Sequence, residues 1–107
     1  MFFINISNLE IHYNHPHDLI PLIETYVLAF YRADLLNKDD SVLDLGAGVG
    51  EFTLLASKKV GPNGRIIAKE PSPDDYEALL RNIKENQCDN VSLMNIAVAN
   101  FNGEREF

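Results

Sequence analysis

The chain has 107 residues, enough for one small domain, with 46% hydrophobic residues and a formal net charge of −7. Nine Lys and Arg face sixteen Asp and Glu, with no basic cluster, which argues against a surface built to hold nucleic-acid phosphates. No apolar run approaches the ~20 residues that span a bilayer, residues 1–7 lack the basic region and cleavage site of a signal peptide, and the single cysteine, Cys88, excludes an internal disulfide and fits a reducing, cytoplasmic compartment.

Residues 2–13 alternate loosely between apolar and polar around Ser7-Asn8, which predicts a short strand or a hairpin. His12, His15 and His17 follow, but Pro16 interrupts them and no cysteine or paired acid completes a ligand set, so no metal site is expected. Leu19, Leu22, Ile23, Tyr26, Val27 and Phe30 form one apolar stripe at helical spacing. They predict a helix over 18–36, with Asp18 as N-cap and Pro21 tolerated in its first turn. Tyr26, Phe30 and Tyr31 are expected to be core and rim aromatics, placed where aromatics can also cap a pocket.

After the polar break at 37–40 a regular series begins. A strand at 42–46 runs into Gly46-x-Gly48-x-Gly50 and a helix over about 51–60, with Phe52, Leu55 and Ala56 on one face. The turn at 61–64 ends that helix and leads to a strand at 65–70. Ser72 as N-cap, Pro73 at the first helical position, and Asp74 and Asp75 behind it start a second helix. Its buried face is expected to be Tyr76, Leu79, Leu80 and Ile83, with Cys88 half-buried beyond its end. A strand at 91–96 follows, and Asn102-Gly103 suits a type I′ turn into a strand at 104–107. Strands joined by helices in this order predict an α/β fold with a parallel sheet, three strands being half of a doubly wound one. The chain therefore reads as a fragment, with residues 1–40 packing on a half-domain at 41–107. An unpaired edge at Val42–Leu45 is then expected to promote self-association, or to take up the N-terminal strand.

The glycine turn brings bare backbone and the free N–H groups of a helix start to one place, a common solution for an adenosine-containing cofactor. A dinucleotide fingerprint requires a third glycine where this chain has Glu51, whose charge would face a pyrophosphate. S-adenosylmethionine has no phosphate and carries a sulfonium and an amino group, so Asp44 and Glu51 suit it better. Glu70, closing the next strand, can accept from two ribose hydroxyls.

Val42 to Thr53, Gly61 to Pro73, Tyr76 to Asn86 and Asn90 to Ala97 together resemble the FkbM-type S-adenosylmethionine-dependent methyltransferases. The resemblance covers about residues 41–107 and rests on Gly-Ala-x-x-Gly-Glu-Phe, Glu-Pro-x-Pro and Asn-Ile-x-x-Asn in combination. It implies a three-layer, Rossmann-like class I methyltransferase fold, present as its first half behind an N-terminal helix, and O-methylation of a sugar or other small molecule. It also implies that Asp44, Gly46, Ala47 and Gly48 hold the methionine end of the cofactor. Glu70 would hold the ribose, Pro71 would shape the turn beside it, and Asn95 to Ala97 would lie along adenine. Ala97 stands where many class I enzymes have an acid, and Lys69 where an apolar residue usually precedes Glu70. No catalytic acid or base is identified. The alternatives are a fragment of an RNA methyltransferase, which the acidic balance disfavours, and a non-catalytic relic of a cofactor site.

Overall fold

The computed structural model describes residues 2–26 and 33–99. The N-terminal segment is a hairpin of β1 (Phe2–Ile6) and β2 (Leu9–Tyr13), antiparallel, with Ile6 opposite Leu9. Ser7 and Asn8 both take positive φ, 51° and 63°, the pair of left-handed residues that a tight two-residue turn requires. A single 3-10 turn, Pro16–Asp18, precedes α1 (Leu19–Tyr26). Asp18 does not cap α1. It ends the 3-10 turn, and its carboxylate accepts from the backbone N–H of Asn14 and His15 at 3.2 and 3.0 Å. Within α1, Leu22 and Thr25 are buried while Ile23 is exposed, so the inward stripe is narrower than its apolar spacing suggested. The predicted continuation through Val27, Phe30 and Tyr31 lies outside the described residues, as do the turn at Asn102-Gly103 and the strand after it. A second 3-10 turn spans Ala33–Leu35.

The β-α-β-α-β series is present as β3 (Ser41–Leu45), α2 (Glu51–Val60), β4 (Arg65–Lys69), α3 (Pro73–Glu85) and β5 (Val91–Met94). The sheet is parallel in the order β3-β4-β5, with Asp44 beside Ala68 and Lys69 beside Met94. Ile66 and Ala68 share one core with Leu54, Ala56 and Val60 of α2, Leu79 and Ile83 of α3, and Leu9, Ile11 and Leu22 from the N-terminal segment. The inner face of α2 is Thr53, Leu54, Ala56, Ser57 and Val60, whereas Phe52 and Leu55 are only half-buried. On α3 the buried positions are Ala78, Leu79, Asn82 and Ile83; Leu80 is exposed and Tyr76 partly so. Cys88 is fully inside.

Asn90 closes α2: its amide donates to the carbonyls of Ser57 and Gly61, and its oxygen accepts from the Ser57 hydroxyl. Ser72 stands at the N-cap of α3, but its hydroxyl makes no capping bond. The opposite sheet face leaves Leu43, Leu45, Ile67 and Met94 exposed.

The hairpin does not extend the sheet. β3 pairs with β4 alone among the described residues, and the hairpin instead docks on α3 through two asparagines one helical turn apart. The Asn86 side chain accepts from the N–H of Glu10 (2.9 Å) and donates to its carbonyl (2.8 Å). Asn82 does the same for His12, at 2.6 and 2.9 Å. Two side-chain amides thus give residues 10 and 12 of β2 the partners a neighbouring strand would give. The pairing of the N-terminal strand with Val42–Leu45 is accordingly overturned: β2's outward N–H and C=O groups at these positions are already satisfied.

Candidate active site

The site lies at the C-terminal ends of β3 and β4, where open α/β sheets bind ligands. The Lys69 carbonyl accepts from the N–H of both Gly46 (2.8 Å) and Ala47 (3.0 Å), which folds the glycine turn back over β4. Gly46 and Gly48 take φ of +73° and +60°. A Cβ on Gly46 would meet nothing within 4 Å, and one on Gly48 would come first against the Glu51 carboxylate, at 3.5 Å. The turn therefore presents open backbone with Glu51 at its side. Asn82 fixes the turn from beneath, its amide donating to the Val49 carbonyl at 2.6 Å.

Glu70 is buried, and its two oxygens join two loops: Oε2 accepts from Gly48 N–H (2.7 Å) and Oε1 from Ser72 N–H (3.0 Å). Each oxygen keeps a second lone pair, so the carboxylate can still accept from a diol. Asp44 is half-buried and accepts from the Thr53 hydroxyl at 2.5 Å. Asn95 donates to the carbonyls of Glu70 (2.7 Å) and Pro71 (3.1 Å), which ties the loop after β5 to the end of β4. Asp44, Gly46, Ala47, Gly48, Glu70, Pro71 and Asn95 are thus gathered at adjoining strand ends. Ala97 is exposed, with its side chain making no polar contact, and Ala47 is buried in the core, so Ala47 can offer a ligand only its backbone. Lys69 lies on the sheet face of Arg65 and Ile67, away from α2, which accounts for its unusual place before Glu70.

The bonds that Thr53, Asn82 and Ser72 make around the site escaped the sequence reading. Thr53 had a signal, a hydroxyl on the inner face of α2 opposite an acid in β3; Ser72 was read for its hydroxyl and contributes its backbone. The histidines do not converge: His12 is buried against Glu10 (2.8 Å), while His15 and His17 stack on the surface. Among the described residues no His, Cys, Asp and Glu group could hold a metal ion, and no helix is long and apolar enough to cross a membrane.

The local field is negative. Burial first, then the charges of Asp44, Asp18 and Asp75, push Glu51 from 4.5 up to about 7, against a backbone hydrogen bond at Glu51 that acts the other way. Asp44 is also raised, by burial and by Glu70, with the Thr53 bond opposing. Burial raises the Tyr26 phenol too, and its hydroxyl donates to the Glu51 carbonyl at 2.8 Å. Between pH 4.5 and about 7 the folded chain keeps a proton on Glu51 that the unfolded chain has released. Stability is therefore expected to fall as pH rises through that window, and Glu51→Gln to flatten the fall. Urea unfolding midpoints from pH 5 to 8 check this; a midpoint that rises towards pH 7 contradicts it.

Gly48→Val is expected to abolish ligand binding, because a branched side chain fills the open face and strains a positive φ. Calorimetry alongside circular dichroism separates this from unfolding. Normal binding would show that the turn is not the ligand platform.

A parallel sheet, a glycine turn and acids at two strand ends define a class I methyltransferase fold. The chain belongs to the TRM5/TYW2 methyltransferase domain family, whose model matches residues 31–107. This corrects the FkbM-type resemblance, whose motifs in the glycine turn, after β4 and at the end of α3 do not fix the subfamily. The chain is 34% identical over 71 residues to tRNA (guanine(37)-N(1))-methyltransferase of Drosophila melanogaster, covering 66% of this chain and 14% of that protein. It is 36% identical over 52 residues to arsenite methyltransferase of Halobacterium salinarum, covering 49% and 13%. The structure of TYW2 from P. horikoshii in complex with MeSAdo superposes with a TM-score of 0.64 at 22% identity, covering 95% of this chain and 38% of that one. The chain thus spans only about an eighth to a seventh of the length of these two curated relatives.

Proposed function

We propose that this chain is the cofactor-binding part of an S-adenosylmethionine-dependent methyltransferase that acts on RNA. The observation that carries the cofactor is the open glycine turn, flanked by Asp44 and Glu51 and tied to the buried Glu70. Asp44 and the backbone of Gly46, Ala47 and Gly48 would hold the methionine end, Glu70 the ribose, and Pro71 and Asn95 would shape the adenine side. The bound cofactor supplies an electrophilic methyl group. The chain's own residues bind it and orient it at the strand ends, and alignment accounts for much of the rate in such a displacement.

The RNA acceptor is favoured over the small molecule expected from the sequence by the family and by the fly relative, a tRNA methyltransferase. It also replaces the reading of nucleic acid as an improbable partner. With a net charge of −7 and no basic cluster, these residues would offer phosphates little attraction by themselves. The test incubates the protein carrying this chain with labelled S-adenosylmethionine and an unmodified tRNA. Label in the RNA is the expected result; label in small metabolites and none in RNA would overturn the acceptor.

A further inference from the structure

We infer that Glu51 is a charge-selecting residue of the cofactor site, making it prefer the cationic cofactor over the neutral product left after methyl transfer. The inference rests on the cofactor reading above and goes beyond it.

Three observations support the assignment. The Glu51 carboxylate is the group nearest to the open face of Gly48, both oxygens lying 3.5 Å from the position of a Cβ there. A ligand resting on the backbone of Gly46 to Gly48 therefore has this carboxylate at its side. Among the described residues no Lys, Arg or His forms an ion pair with it, since the ion pairs found join Glu10 to His12 and Asp18 to His17. The surrounding elements bring more negative charge: Asp44 on β3, Asp75 on α3 and Asp18 before α1, with the neutral phenol of Tyr26 against the Glu51 backbone. A half-buried anion among anions is stabilised by an incoming cation and gains nothing from a neutral group.

S-adenosylmethionine carries a positive sulfur. S-adenosylhomocysteine is the same molecule without the methyl group, and its sulfur is neutral. The two share the adenosine and the amino acid end, so contacts to Glu70, Pro71 and Asn95 do not distinguish them. A carboxylate beside the turn that would hold the methionine end responds to the one charge that differs, that on the sulfur, and it favours exchange of spent cofactor for fresh.

The test is calorimetric titration at pH 8, where Glu51 is largely ionised, using S-adenosylmethionine, S-adenosylhomocysteine and sinefungin, whose amine, cationic when protonated, replaces the sulfonium. The wild-type chain should bind both cations more tightly than S-adenosylhomocysteine. Glu51→Gln should shrink that preference about 5–10-fold, mainly by weakening the cations, as expected for one partly exposed charge pair. Glu51→Asp, which keeps the charge, should retain most of it, and it serves as the second variant if the glutamine form is poorly folded. Binding of all three ligands with the same ratio in wild type and both variants would overturn the inference and leave the cofactor reading standing. Failure of all three to bind wild type would overturn the cofactor reading, and the inference with it.

Discussion

Asn82→Ala is expected to lower the free energy of unfolding by about 3–5 kcal/mol, the cost of stranding several buried backbone groups. The side chain is fully buried and makes three bonds: from the His12 N–H (2.6 Å), to the His12 carbonyl (2.9 Å) and to the Val49 carbonyl (2.6 Å). Alanine removes every partner at once, at a position with no solvent exposure. Because domains of this size are stable by only about 5–15 kcal/mol, the loss is a large fraction of the whole. Asn86→Ala, at a less buried position bonded to Glu10, should cost distinctly less. Urea unfolding of both variants, with hydrogen exchange at the His12 amide, measures this. A loss below about 1 kcal/mol for Asn82→Ala would show that the hairpin and the glycine turn are held by apolar packing alone.

Glu70→Ala is expected to weaken binding of the adenosine-containing ligand by about 1–3 kcal/mol, or ~5–150-fold, through lost charge-assisted hydrogen bonds. Part of the loss is indirect. The carboxylate also accepts from Gly48 and Ser72, so its removal frees two backbone amides on the loops that border the site. Glu70→Gln keeps one acceptor oxygen and should fall between wild type and alanine. Calorimetric affinities of the three chains decide the matter, and unchanged affinity in Glu70→Ala would remove Glu70 from the site.

The parts of this molecule that follow from local pattern were readable in its sequence. Ser7-Asn8 tolerates the left-handed backbone of a tight turn, Gly46-x-Gly48-x-Gly50 marks a turn between strand and helix, and Pro73 after Ser72 marks a helix start. What resisted reading depends on distant partners. Asn82 and Asn86 stood out as a motif, but nothing local revealed that they clasp residues 10 and 12 of a strand seventy residues or more away in the chain. A polar residue on a helix reads as solvated until its partner is known. The same holds for Leu80, which reads as core by spacing and lies outside, while the small Ala78 lies inside. Asp44 and Glu70 were legible as acids at strand ends. Their bonds to Thr53, Gly48 and Ser72 were not, because each crosses between elements. The methyl acceptor was not legible for a related reason: motifs that shape a cofactor site say little about what is methylated, and it is the family that favours the RNA alternative over the small molecule.

The central claim is that the glycine turn, Asp44 and Glu70 form a site for a phosphate-free adenosyl cofactor. Calorimetric titration of the wild-type chain with S-adenosylmethionine and, separately, with NAD tests it most directly. The account predicts saturable binding of S-adenosylmethionine and none of NAD, whose pyrophosphate would meet Glu51 at the start of α2. Binding of NAD as tight as, or tighter than, that of S-adenosylmethionine would contradict it.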